Sequence, residues 1–210
     1  MAAEGTIQFA YNLTERSTPL PDYAELAAWR TIFFRLDLIG QHPDRYDGFG
    51  YGNMSAKLSD DDSFVITASQ TSGEEKLSAE QLVTVAEVNL GRFWVEAQGS
   101  EPPSSETLTH AMIYAADQRV RTVFHIHCSE IWQHRDALNL PETQASVAYG
   151  SPDMVTAVAD LLEEHQSRPL VFATAGHTDG IFALSTHARD CGGLLMAYYA
   201  KALALANVDD

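Results

Sequence analysis

Basic residues are scarce in this chain: 13 lysines and arginines stand against 29 aspartates and glutamates in 210 residues, a formal charge of −16. A surface of that sign repels nucleic-acid backbones, and no lysine or arginine cluster overrides it, so nucleic acid is not expected as a partner. Cysteine is nearly absent. The two present, Cys128 and Cys191, fall in different expected elements with no spacing motif, which argues against a disulfide framework or a cysteine-rich zinc site. No apolar run approaches the roughly 20 residues needed to span a bilayer. The start Met1-Ala2-Ala3-Glu4-Gly5 lacks the basic and apolar regions of a secretory signal. These absences lead to the expectation of a cytoplasmic protein with no membrane partner. Internal repeats, low-complexity tracts and a polar linker are lacking too, while a 45% hydrophobic composition suffices for a full core. Residues 1–210 are therefore expected to form a single α/β domain, with residues 1–20 as an N-terminal arm or strand.

Apolar periodicity places the elements. Tyr23, Leu26, Trp29, Phe33, Leu36 and Ile39 recur at three- and four-residue steps, predicting an amphipathic helix from Asp22 to a stop at Gly40. Residues 6–13 read as a short strand or ordered arm, set off by Pro19 and Pro21. Strands are expected over Tyr51 to Leu58, Phe64 to Ala68, Leu82 to Leu90 and Arg92 to Ala97. Ser104 or Ser105 is suited to cap a helix running to about Ala116. A strand Val120–His127, a short helix near Ser129 and a helix opened by Pro152 follow. Leu170–Ala175 and Ile181–Ser185 flank a turn as a hairpin, and a last helix runs from about Ala188 to Ala206.

The chemistry concentrates in Thr122-Val123-Phe124-His125-Ile126-His127. Side chains two apart on a strand share a face, so both imidazoles project together as half of a metal site. The alternative is a structural pair bonded to neighbouring hydroxyls or carbonyls, but two polar rings in one apolar neighbourhood are costly unless something binds both. Glu106, at the start of its expected helix, is stabilised there by free amides and the helix dipole; beside a bound cation it could also be a ligand or a proton acceptor. His110 shares its helix face and suits a hydrogen bond within the core.

A third imidazole could come from His42, His134, His165, His177 or His187. His177, in the turn Gly176-His177-Thr178-Asp179-Gly180, is preferred because fixed backbone can aim it into a cleft, with His187 next. The glycine-rich stretch Gly48 to Ser55 matches neither nucleotide-binding fingerprint. With Ser69-Gln70-Thr71-Ser72-Gly73 and Ser104-Ser105 it supplies amides and hydroxyls able to wrap a phosphate, provided that the three segments meet; otherwise they are solvated loops.

Taken in order, Gly52-Asn53-Met54-Ser55, Phe64-Val65-Ile66-Thr67, Pro103-Ser104-Ser105-Glu106 with His110 and Tyr114, His125-Ile126-His127 and Gly176-His177 resemble the class II aldolase and adducin head family, over about residues 24–205. The resemblance implies a three-layer α/β/α fold around a mainly antiparallel central sheet, usually in a homotetramer. It implies one divalent ion per subunit, Zn2+ above all, on His125, His127 and His177, with Glu106 as the acid/base that can also approach the metal. Asn53, Ser104 and Ser105 would contact a substrate phosphate, with the loop carrying Thr67, Ser72 and Gly73 completing the pocket. Relatives take a proton-donor tyrosine from a neighbouring subunit, and Tyr149 is the candidate in this chain. The implied activity is reversible aldol cleavage of a small hydroxy-ketone or sugar, a ketose phosphate first, through a metal-stabilised enediolate. Epimerase or dehydratase chemistry at the same metal and a noncatalytic, adducin-like assembly role are the alternatives. The chain departs from the family in its longer Thr67–Gly73 loop, in Cys128 after the second histidine, and in Gly-His-Thr-Asp-Gly at the third.

Overall fold

The computed structural model describes residues 5–16, 23–57 and 59–209. Its strands are β1 (Ala10–Thr14), β2 (Gly40–Gln41), β3 (Gly50–Tyr51), β4 (Asn53–Ala56), β5 (Phe64–Thr67), β6 (Leu82–Asn89), β7 (Trp94–Gln98), β8 (Thr122–His127), β9 (Glu142–Thr143), β10 (Leu170–Thr174) and β11 (Gly180–Ser185). The α-helices are α1 (Ala24–Arg35), α2 (Thr107–Ala116), α3 (Ser129–Gln133), α4 (Pro152–Glu164) and α5 (Ala188–Asp209). The start of the helix expected from Asp22, the prolines before it and the strand end at Leu58 lie outside the described residues.

Nine strands form one sheet in the order β1-β7-β6-β5-β4-β8-β11-β10-β9, and β2 pairs with β3 separately. Only the two outermost pairings of the large sheet, β1 with β7 and β9 with β10, are parallel. Period-two alternation sends successive side chains to opposite faces and so to two cores. On one face Phe64, Ile66, Val123, Phe172 and Phe182 pack against Leu108 and Ile113 of α2 and Met154 and Val158 of α4. On the other, Met54, Val65, Phe124, Ile126 and Ala183 meet Leu26 and Phe33 of α1, Ile131 of α3 and Leu195 of α5. The result is the expected three-layer α/β/α arrangement around a mainly antiparallel sheet. Among the described residues no helix is long and apolar enough to cross a membrane.

Three local expectations are corrected. The stretch Tyr51 to Leu58 is not one strand, because the chain turns at Gly52, with φ +75°. A Cβ there would lie 2.7 Å from Ile39 Cγ1 and 3.1 Å from the His125 carbonyl oxygen, so only glycine lets β4 start beside β8. Strand β7 begins at Trp94 rather than Arg92, since Asn89 Oδ1 accepts the Arg92 N–H at 2.9 Å and closes a 3-10 turn. Neither Ser104 nor Ser105 caps α2. Glu106 holds the N-cap position without a side-chain cap, and the Ser104 hydroxyl oxygen accepts the Glu106 N–H instead. Helix α4 starts as expected, with Pro152 in its first turn and the Ser151 hydroxyl oxygen accepting the Met154 N–H at 3.2 Å.

Candidate metal centre and polar pocket

Strand β8 is buried along its whole length between β4 and β11. Phe124 and Ile126 belong to the core under α1 and α5, which leaves Val123, His125 and His127 for the face covered by α2 and α4. His125 pairs across to Phe182 of β11 and stacks on it, ring centroids 4.2 Å apart. Phe182 in turn stacks on Phe172 of β10 at 5.1 Å. The His125 Nδ1 is 3.2 Å from the Ile181 carbonyl oxygen. A carbonyl can only accept, so Nδ1 carries the proton and the Nε2 lone pair is left to face the site.

His127 is 1% exposed, and neither ring nitrogen has a hydrogen-bond partner among the described residues. Burial, reinforced by His177 and His125, holds its pKa well below the usual imidazole range, so the ring is neutral. Tyr46 packs edge-on against it at 4.6 Å. His177 arrives from the turn between β10 and β11, its N–H donating to the Thr174 carbonyl at 3.0 Å. Gly176 permits this path, because a Cβ at that position would lie 2.0 Å from the Val147 carbonyl oxygen. The buried Tyr149 ring stacks on His177 at 4.9 Å, within the same chain.

One ligand atom from each of His125, His127 and His177 falls within 4.8 Å of the others. Glu106, 4% exposed at the head of α2, turns its carboxylate toward them. Its Oε2 lies 2.9 Å from His125 Nε2, at contact distance but outside hydrogen-bond geometry, and its Oε1 lies 3.6 Å from His177 Nδ1. Asn53 Nδ2, from the residue paired with His125 across β4, donates to Oε2 at 2.9 Å. Burial alone would raise the Glu106 pKa. Positive charge on the adjoining His125 and His177, supplied by a proton or a cation between them and the carboxylate, together with the Asn53 bond, outweighs it and holds the carboxyl at about 2. Three imidazoles and a carboxylate gathered away from water make a donor set suited to a divalent ion of the zinc type.

The remaining histidines stand apart. His42, His165 and His187 are exposed, and His134 Nδ1 is 2.8 Å from the Glu130 carbonyl. His110 bonds in the core through Nδ1 to Ser55 Oγ at 2.7 Å, and Ser55 Oγ lies 2.7 Å from the Tyr114 hydroxyl. Burial lowers the His110 pKa to about 3.

The three polar segments do meet. Asn53, Ser69, Gln70, Ser72, Ser104 and Ser105 line a small pocket that reaches Glu106, with no lysine or arginine in its lining. Thr67 and Gly73 are not part of that lining. Thr67 sits at the end of β5 with its hydroxyl oxygen accepting the Met54 N–H, and Gly73 packs against Gln41 on another side of the loop. Ser72 Oγ donates to the Gly52 carbonyl at 3.1 Å.

Sequence reasoning missed the group behind His127. The Tyr46 hydroxyl donates to Asp179 Oδ2 at 2.6 Å and accepts from Arg45 Nη2 at 3.0 Å. Burial and the Asp179 bond push the Tyr46 pKa above its ordinary value. The left-handed pair Tyr46 and Asp47 ahead of Gly48 is a turn that residue type alone does not announce.

Among solved structures, the L-fuculose-1-phosphate aldolase from Thermus thermophilus is similar, with a TM-score of 0.66 and 20% identity over 91% of this chain and 95% of that one. The sugar-phosphate aldolase from Thermotoga maritima superposes with a TM-score of 0.66 at 14% identity, over 90% of this chain and 97% of that one. YgbL from Escherichia coli gives 0.67 at 16%, over 90% and 91%. These likenesses carry the fold. No curated protein sequence gives a significant match. Residues 42–201 match the model of the Class II Aldolase and Adducin N-terminal domain, and on that match the chain belongs to this family.

Proposed function

We propose that the protein is a metal-dependent lyase that cleaves a small hydroxy-ketone or sugar, a ketose phosphate first, by a reversible aldol reaction. The observation that carries this reading is the convergence of three buried imidazoles, one of them with both ring nitrogens free of hydrogen bonds among the described residues, on a carboxylate at the head of α2. Orphaned nitrogens in such a place cost folding free energy unless an ion takes their lone pairs. His125, His127 and His177 would hold it, and Zn2+ suits an all-nitrogen set. When bound, a divalent ion supplies Lewis acidity to a carbonyl and the hydroxyl beside it.

In aldol cleavage the β-hydroxyl loses its proton as it becomes an aldehyde, and the electron pair of the broken carbon–carbon bond stays on the α carbon, which takes a proton up. Glu106 is assigned the proton taken up at the α carbon, since its carboxylate is ionised, buried and aimed at the histidines. Asn53 orients it by donating to Oε2. Tyr149, stacked on His177, is assigned the second proton, and here it would act within its own subunit. The pocket of Ser69, Ser72, Ser104 and Ser105 is read as the phosphate site, where hydroxyls and backbone amides stand in for charged side chains. Assembly as a homotetramer is part of the same reading.

The test is to load the protein with zinc, offer ketose phosphates and their unphosphorylated forms in D2O, and follow cleavage and α-deuteration by NMR. The reading expects two smaller carbonyl products and deuterium at the α carbon, both lost in Glu106→Gln. Loaded protein that neither cleaves nor exchanges any of them would overturn it.

A further inference from the structure

Hydroxyls and amides can hold an anion without a lysine or arginine, but this lining also contains the ionised Glu106, in a chain of formal charge −16, so a positive charge close to the pocket would strengthen anion binding there. The structure offers one source behind the pocket wall. Arg30 of α1 is 1% exposed, the largest fully buried side chain of the described residues. Nη1 donates to the carbonyls of Glu74 and Glu75, the latter at 3.1 Å, and Nη2 donates to the Thr71 carbonyl at 2.9 Å. Thr31 Oγ1 adds a bond to the Glu75 carbonyl at 3.3 Å. Burial lowers the Arg30 pKa to about 10, which leaves it charged at neutral pH.

The backbone it grips is the continuation of the pocket wall. Within that loop Ser69 N donates to the Pro102 carbonyl at 2.9 Å, and Gln70 Oε1 accepts the Gly50 N–H at 3.1 Å. The loop thus ties the glycine-rich segment to the segment that leads into Ser104 and Ser105. In a trans peptide the C=O and N–H point opposite ways, so the Thr71–Ser72 peptide presents its carbonyl to Arg30 and its N–H away from it. A charged donor on the carbonyl polarises that unit and strengthens the N–H as a donor. A guanidinium supplies this fork in a fixed plane, where an ammonium offers only a point charge.

We propose that Arg30 is a positioning residue for anion binding: it clamps the Thr71–Glu75 backbone so that Ser69, Gln70 and Ser72 line the pocket, and it lends that pocket a positive charge its own lining lacks. This rests on reading the pocket as the phosphate site. The ligand class is a phosphate monoester, held by neutral donors in front and a buried cation behind.

The test is calorimetric titration of the full chain, as purified, with inorganic phosphate, alongside Arg30→Met, Arg30→Lys and Ser105→Ala, with metal content and thermal melting recorded for each. Arg30→Met is expected to melt cooperatively, keep its metal, and bind phosphate about tenfold or more weakly. Arg30→Lys, which keeps the charge but not the fork, should fall between, at about threefold or more. Ser105→Ala should also weaken binding, which places the phosphate in the pocket. Folded Arg30→Met with an affinity within about twofold of the parent would overturn the proposal. If Arg30→Met fails to fold, Arg30→Lys decides, and unchanged affinity there overturns it equally. A parent that binds no phosphate removes the phosphate reading and this proposal together. A parent that binds phosphate while both arginine variants match it removes only the proposal.

Discussion

Glu106 Oε2 lies 2.9 Å from His125 Nε2, and the same oxygen accepts the Asn53 amide at 2.9 Å. Since His125 spends its Nδ1 proton on the Ile181 carbonyl, the facing Nε2 is a lone pair, and two electron-rich atoms are held at contact distance. That arrangement is costly without a cation or a proton between them. Glu106→Gln removes the proposed base yet keeps shape, and is expected to lower turnover about 10²-fold or more with metal content unchanged. Full activity at normal metal content, measured by steady-state kinetics and metal analysis, would refute the assignment.

Gly176→Ala tests how His177 is placed. The new methyl would meet the Val147 carbonyl oxygen at 2.0 Å and the Ala145 carbonyl oxygen at 3.0 Å, both backbone atoms that cannot swing aside. The turn must shift, so weaker metal retention and a lower melting temperature are expected, read by dialysis against a chelator and by thermal melts. A variant matching the parent in both would show that the 145–147 segment yields freely.

The stack of His125 on Phe182 and of Phe182 on Phe172 joins the site to the core. Phe182 is fully buried, so Phe182→Ala opens a cavity as well as losing transfer free energy. A loss of about 3–5 kcal/mol in urea unfolding is expected. A loss under about 1 kcal/mol would mean that the strand collapses around the gap.

Acid sensitivity should trace in part to Asp117, at the C-cap of α2, where a carboxylate opposes the helix dipole unless paired. Arg119 donates to it through Nε at 2.9 Å and Nη2 at 2.7 Å, and Arg168 Nε lies 2.9 Å away. The Arg119 bond leads, against burial, in holding this pKa below the usual range. A depressed folded pKa means that the unfolded chain binds the proton more readily. The stabilisation is therefore complete above the unfolded value, roughly pH 4, and is lost as pH falls through the folded one. Asp117→Asn should melt lower than the parent at pH 7 and lose less on acidification. Identical acid slopes of melting temperature would contradict this.

The strand bearing His125 and His127 was legible because period two dictates one face whatever the fold. Glu106 and His177 were legible from a helix start and a glycine-flanked turn. What stayed hidden depends on distant partners. Tyr46 and Asp179 meet across 133 positions, and nothing near either residue announces the other. The serines before α2 have the residue type of caps, yet tertiary geometry gives the N-cap position to Glu106. Arg30 lies in a helix that periodicity finds easily, but its burial follows from three carbonyls on a loop more than 40 residues away.

The central claim is that His125, His127 and His177 hold a divalent ion, and metal per chain tests it most directly. Protein purified without a histidine tag, reconstituted with zinc and dialysed, is compared with His125→Ala treated identically. The account predicts about one ion per chain in the parent and its loss in a variant that still folds. A parent that retains none, or a His125→Ala variant that retains the parent's full content, would contradict it.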